Sequence, residues 1–226
     1  MVERIRVMIA DDEALIRHAL RIFVESDRWM SVVGEAADGS SAVAVALELQ
    51  PDVVLMDLQM PRMGGVEATR RIAAHSPDIR ILAVTTLSSE RHVVDALRAG
   101  ASGYLVKDTE PDDLLLAIRD VHAGRSIISP RLTRELLLSL RTHPTHPAGR
   151  SSETLTPREL SIVRLIARGM SNAEIARALH LSEPTIKSNL GRVMSKWGVR
   201  DRVQVLIHAV VNNHVELQVG EPLDST

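Results

Sequence analysis

The sequence predicts an α/β architecture: a five-stranded, doubly wound parallel sheet, followed by a second, smaller all-helical unit of four helices that contains a helix-turn-helix. Three observations carry this. From Ile5 to His122 short apolar runs alternate with helical periodicity, the pattern of repeated βα units around a parallel sheet. After residue 153 three N-cap signatures follow in close succession. The charge is also divided: residues 1–122 hold 13 Lys and Arg against 20 Asp and Glu, a net of −7, whereas residues 150–213 hold 10 against 5, a net of +5.

The strands are expected at 5–10, 31–36, 52–56, 79–84 and 103–106. Helices are expected at 13–26, 40–49, 66–75, 89–99 and 111–122. The segment 130–141 has the periodicity of a short connecting helix. The stretch 142–154, rich in Pro, Ser, Thr and His, reads as a linker. His143 and His146 within it lack carboxylate or thiolate company and read as solvated side chains. The expected boundaries are therefore 1–123 for the first domain, 124–153 for the linker with its short helix, 154–214 for the second domain and 215–226 for a tail.

In the second domain, Thr156-Pro157-Arg158-Glu159 and Ser171-Asn172-Ala173-Glu174 are capping boxes, and Ser182 precedes Glu183-Pro184. A hydroxyl at N-cap and Glu at N3 satisfy donors that a helix start leaves unpaired. Helices follow at 157–168, 172–179, 183–197 and 200–212, with His180-Leu181-Ser182 as the tight turn between the second and third.

With 226 residues, 45% of them hydrophobic and 25% charged, the chain has the composition of a globular protein of two ordinary domains. The absence of Cys removes disulfides, thiol nucleophiles and thiolate metal sites, and suits a reducing interior. No apolar run approaches the length of a membrane span, and the start shows no secretory pattern. A cytoplasmic location without membrane association is the expectation.

The chemistry concentrates where strands end. Asp11 and Asp12 follow the first strand and Asp57 the third, and in an open sheet of this order those strand ends border the functional crevice. Three converging carboxylates are costly unless a hard divalent cation neutralises them, and Mg²⁺ with carboxylates and waters is the natural occupant. A carboxylate beside that metal is a phosphoryl acceptor in chemical terms. Thr85 and Lys107, at the ends of the fourth and fifth strands, add a hydroxyl and an ammonium suited to phosphoryl oxygens. A lone Asp or Lys after a strand is ordinarily a turn, cap or solvated residue; five such residues at one sheet edge are not.

These motifs resemble the receiver domain of response regulators: Ala-Asp-Asp-Glu at 10–13, Met-Asp-Leu-Gln-Met-Pro at 56–61, Thr85, and Gly-Ala-Ser-Gly-Tyr-Leu-Val-Lys at 100–107. The resemblance implies a flavodoxin-like fold with Asp57 as phosphoacceptor. It also makes Asp11 and Asp12 metal-side acids, the carbonyl of Gln59 a further Mg²⁺ ligand, Thr85 and Lys107 the phosphoryl-sensing pair and Tyr104 the switching aromatic. A sensor histidine kinase becomes the expected partner. Gly64 stands where many relatives carry Asp, and Asp108 follows Lys107 where other subfamilies have Pro.

In the third C-terminal helix Ile186, Leu190, Val193 and Trp197 form one apolar stripe, so Trp197 reads as core. The other faces carry Thr185, Lys187, Ser188, Gly191, Arg192, Ser195 and Lys196, a mixture suited to the major groove of double-stranded DNA. Leu-Thr-Pro-Arg-Glu at 155–159, Ser-Asn-Ala-Glu-Ile-Ala at 171–176, Thr-Ile-Lys at 185–187 and Arg-Asp-Arg at 200–202 resemble the LuxR-type DNA-binding domain. The whole chain is thus similar to NarL/FixJ-type response regulators.

That likeness places Lys187, Ser188 and Gly191 at base-reading positions and Thr185 and Lys196 near phosphates. It places Asn189 in the DNA-contacting set where a His is common, and the final helix at the contact of a phosphorylated homodimer. Gly191 offers no side chain, which leaves Arg192 as the expected reader. A non-enzymatic transcription regulator is the reading. An aspartyl phosphatase would place its two acids two residues apart after the first strand, unlike adjacent Asp11 and Asp12, and a phosphorylation-independent regulator would have no use for the intact acidic site.

Overall fold

The structure, a computed structural model, describes residues 4–86, 90–125 and 154–215. The expected helix at 130–141 and His143 and His146 lie outside the described residues.

Five parallel strands, β1 (Ile5–Ala10), β2 (Met30–Ala36), β3 (Val53–Asp57), β4 (Arg80–Thr85) and β5 (Gly103–Val106), form one sheet in the order β2-β1-β3-β4-β5. The direction of winding reverses between β1 and β3, which opens a crevice at their carboxyl ends. Both strands end there in register, Ala10 pairing with Met56.

Strand alternation sends successive side chains to opposite faces. Val7, Ile9, Val53, Leu55, Leu82 and Val84 pack under α1 (Ala14–Glu25) and α5 (Pro111–His122). Met8, Ala10, Val54, Met56 and Ile81 pack under α2 (Gly39–Leu49) and α3 (Gly65–His75). The strands therefore read as unbroken apolar runs, as a sheet covered on both faces requires. Observed limits differ from the expected ones by one or two residues, and Asp57 closes β3 rather than following it.

The C-terminal unit comprises α6 (Pro157–Ala167), α7 (Asn172–Ala178), α8 (Glu183–Trp197) and α9 (Arg202–Val211). Both capping boxes form: Thr156 and Ser171 accept from the N–H of Glu159 and Glu174, whose carboxylates accept in return from the cap backbone at 2.7 Å. Ser182 caps α8, and His180 takes a left-handed φ of 54° in the turn before it. Ile186, Leu190, Val193 and Trp197 are buried, as the stripe requires.

On the sheet face that bears α2 and α3, helix α4 (Glu90–Ala99) joins the two units. Ala83, Val93, Val94, Ala96, Leu97 and Ala101 belong to one continuous apolar cluster with the core of the C-terminal helices. Tyr104 packs against that cluster, partly buried.

Candidate functional site

The crevice brings the predicted acids together. Asp11 and Asp57 are buried and Asp12 is exposed, and one carboxylate oxygen from each lies within 4.8 Å of the others. Lys107 reaches across from the end of β5. Its Nζ stands 2.8 Å from Asp11 Oδ2, 3.0 Å from Asp57 Oδ2 and 3.1 Å from Glu13 Oε1. The other oxygens are held by backbone: Asp57 Oδ1 accepts from the N–H of Gln59 and Asp11 Oδ1 from that of Glu13.

Burial pushes the Asp57 carboxyl up, against the opposing pull of Lys107 and the Gln59 N–H. Burial also lowers Lys107, but the hydrogen bonds to Asp11 and Asp57 and the Asp57 charge outweigh it and hold the ammonium above its ordinary value. The pocket is thus a permanently charged ammonium among carboxylates, with carboxylate oxygens close enough to share a hard cation. Thr85 ends β4 buried, its carbonyl accepting from the Lys107 N–H at 2.9 Å. It pairs with Val106 as Ala83 pairs with Tyr104, so Thr85 and Tyr104 lie on one face of the sheet.

The loop from Asp57 to α3 is held by parts that sequence reasoning missed. A Cβ at Gly65 would lie 1.9 Å from the Asp57 carbonyl oxygen, and one at Gly39 would lie 2.3 Å from that of Met63. Both glycines are required by close backbone approach. Asp38 caps α2 through the N–H groups of Ser40 and Ser41 and also pairs with Arg62. These contacts, the backbone bonds to Ser41 first among them, lower its carboxyl to about 2. The adjacent pairs Asp38-Gly39 and Gly64-Gly65 were the available signals. Glu13 was visible only as part of a motif.

On α8 the predicted DNA-contacting set divides. Lys187, Ser188 and Arg192 are exposed, and the space beside Gly191 is open, with nothing within 4 Å of an added Cβ. Thr185 is half-buried, its hydroxyl 2.8 Å from that of Ser182. Asn189 is on the inner side: it is 5% exposed and its amide donates to the Thr185 carbonyl at 2.8 Å. A polar residue one turn beyond Thr185 bonds back along the helix, which removes it from the groove-facing set. Lys196 is likewise engaged, its Nζ 2.7 Å from the buried carboxylate of Glu159.

The family models match along the same division. The model for the response regulator receiver domain covers residues 7–119, and that for bacterial regulatory proteins of the luxR family covers 153–209. This chain is a response regulator with a LuxR-type DNA-binding domain.

Similar proteins agree with the assignment over their whole length. The uncharacterized transcriptional regulatory protein YxjL of Bacillus subtilis is 37% identical over 215 residues, spanning 95% of this chain and 99% of that protein. The response regulator protein VraR of Staphylococcus aureus is 38% identical over 212 residues, 94% and 99% of the two chains. A solved complex of the two-component response regulator RcsB with DNA matches at 26% identity and a TM-score of 0.54, covering 92% of this chain and 99% of that one. The response regulator described here is accordingly a two-component transcription regulator, with DNA as a partner. Among its described residues no helix is long and apolar enough to cross a membrane.

Proposed function

We propose that Asp57 accepts a phosphoryl group from a phosphohistidine of a partner sensor kinase, in the cytoplasm. Phosphorylation then promotes dimerisation and promoter binding. The observation that carries this is the placement of Lys107, which bridges Asp57 and Asp11 at the ends of three different strands. In the transfer the P–N bond of the donor breaks as an Asp57 carboxylate oxygen bonds to phosphorus, and the departing imidazole takes up a proton. Lys107 neutralises charge that builds on the phosphoryl oxygens, and buried Thr85 offers its hydroxyl to one of them. Mg²⁺ held by Asp11, Asp12, Asp57 and the Gln59 carbonyl would supply further charge neutralisation when bound; three carboxylates that converge within 4.8 Å fit such an ion.

The modified side chain gains roughly two negative charges. Movement of Thr85 toward them frees space on the sheet face it shares with Tyr104, whose ring packs against the apolar cluster below the C-terminal helices. We assign residues 1–123 to the receiver, 124–153 to the linker, 154–214 to the DNA-binding domain and 215–226 to a tail. Lys187, Ser188, Gly191 and Arg192 form the groove-facing set, and the chain acts by binding rather than by catalysis on a separate substrate.

The test is exposure of the chain to acetyl phosphate with Mg²⁺, followed by mass analysis and promoter binding. One phosphoryl group on wild type, none on Asp57→Ala, and stronger promoter binding by the modified chain alone are the expected results. Equal promoter binding and oligomeric state with and without the donor would overturn the reading.

A further inference from the structure

Glu13 stands at the mouth of the crevice, and neither the Mg²⁺ set nor the phosphoryl-sensing pair includes it. It occupies the N-cap position of α1, where Ser, Thr, Asp or Asn ordinarily turns a short polar side chain onto the free N–H groups of its own helix. The Glu13 side chain makes no such cap bond. Its carboxylate extends across the crevice instead, where Oε1 accepts from Lys107 Nζ at 3.1 Å, while its backbone N–H donates to Asp11 Oδ1 at 2.9 Å. A cap position filled by a residue that does not cap gives up a local preference, and such exceptions gather at functional sites.

The contacts of Lys107 show what is gained in exchange. The ammonium also donates to Asp57 Oδ2 at 3.0 Å, and Asp11 Oδ2 stands 2.8 Å away. An ammonium has three protons and accepts nothing, so Asp11, Asp57 and Glu13 take up its capacity. Their burial differs sharply: the side chains of Asp11 and Asp57 are 1% and 4% exposed, that of Glu13 61%. In charge, Asp11, Asp12, Asp57 and Glu13 set four negatives against the single positive of Lys107. A divalent cation would leave the crevice at a net of −1, which a phosphoryl group with roughly two negative charges meets as repulsion. Of the four carboxylates, only that of Glu13 lies outside the proposed metal set, so its charge can be removed without removing a ligand.

We propose that Glu13 is a positioning residue that acts through Lys107: it draws the ammonium toward the mouth of the crevice and so weakens the crevice's hold on a phosphoryl group at Asp57. When Asp57 is modified, its carboxylate gives up the Lys107 donor and a phosphoryl oxygen takes it. Glu13 keeps a second donor, and its charge faces the incoming group from the water side. The modified chain is therefore less favoured, relative to the unmodified one, than the buried parts of the crevice alone would make it. Glu13 thus biases the switch toward its resting state. This inference rests on Asp57 being the phosphoryl acceptor.

The experiment uses the full chain with saturating Mg²⁺ and beryllofluoride, an anion whose beryllium takes a carboxylate oxygen as its last ligand and sets fluorines where phosphoryl oxygens would stand. Fluorine NMR reads its affinity, and calorimetry without beryllofluoride reads that of Mg²⁺. Glu13→Gln keeps the size of the side chain and removes its charge. It should bind beryllofluoride about fivefold more tightly, the scale of an exposed ion pair, and Mg²⁺ no more tightly than wild type does. A merely structural role would weaken both. Asp108→Asn removes an equal charge from an exposed residue that makes none of these contacts, and should change beryllofluoride affinity by less than about twofold. Unchanged or weaker capture by Glu13→Gln, a matching gain in its Mg²⁺ affinity, or an equal gain in Asp108→Asn would each overturn the proposal. Capture that persists in Asp57→Ala would instead overturn the phosphorylation reading beneath it, a result distinct from all of these.

Discussion

The acidic crevice and the face of α8 use charge in opposite ways. In the crevice Asp11, Asp57 and Lys107 are nearly sealed from water, and the two carboxylates share one ammonium at 2.8 and 3.0 Å. On α8 Lys187 and Arg192 stand in solvent, where a phosphate or base edge can displace water at little cost. A buried charge network is held together largely by the protein's own groups, whereas an exposed face is completed by its ligand. Substitutions should accordingly cost stability in the first and affinity in the second.

The largest break in this contrast is expected from Lys107→Met. Removing the ammonium that stands between two buried carboxylates should cost about 3 kcal/mol of receiver stability in the absence of divalent ions. Added Mg²⁺ should restore a large part, measured by urea unfolding with and without the ion. Next is Gly65→Ala, where a methyl meets the Asp57 carbonyl oxygen at 1.9 Å and the loop must shift. A loss of about 2 kcal/mol is expected, together with slower modification by acetyl phosphate, read by mass analysis.

The comparison sharpens within α8 itself. Arg192→Ala should leave the melting transition nearly unchanged while costing about 1–3 kcal/mol of discrimination at particular base pairs, measured by binding to single-substitution operators. Lys196→Ala should do the reverse, lowering stability by about 1 kcal/mol because Glu159 loses its cation while buried. A uniform loss of affinity for Arg192→Ala would make it a phosphate contact instead.

The smallest effect concerns His208, whose ring stacks on Trp197 with centroids 4.4 Å apart and lies 6.1 Å from that of His214. Burial, then the neighbouring His214, lowers its pKa. The unfolded chain therefore takes up the proton first as pH falls. The stability from neutral His208 is complete above the ordinary histidine value of about 6.5 and is lost as pH falls through the lower folded value. His208→Phe should flatten that part of the pH–stability curve of the C-terminal domain.

Much of this was legible in the residues. Each predicted strand and each helix outside 126–153 occurs, because covered strands and capped helices carry local signals: unbroken apolar runs, Thr156 with Glu159, Ser171 with Glu174. The meeting of Asp11, Asp12, Asp57 and Lys107 follows from the parallel sheet, since each lies at or just beyond the carboxyl end of a strand at the same edge. What Asn189 and Lys196 bond to was not legible, for a shared reason. Helical spacing states which face a residue occupies but not whether a neighbour from another helix, or the helix's own carbonyl, has already engaged its polar atoms.

The sequence by itself determined the two domains, the acidic edge and the helix-turn-helix, because these depend on periodicity, caps and the fixed polarity of a parallel sheet. Only the tertiary structure decided that Glu13 joins Lys107, that Gly39 and Gly65 fit against backbone oxygens, and that Arg200 reaches Pro77, Ile79 and Gly100, more than a hundred residues away along the chain for two of them. Backbone carbonyls are present at every position and so leave no mark in a sequence. Which of them a guanidinium meets is fixed only when the two surfaces are packed together.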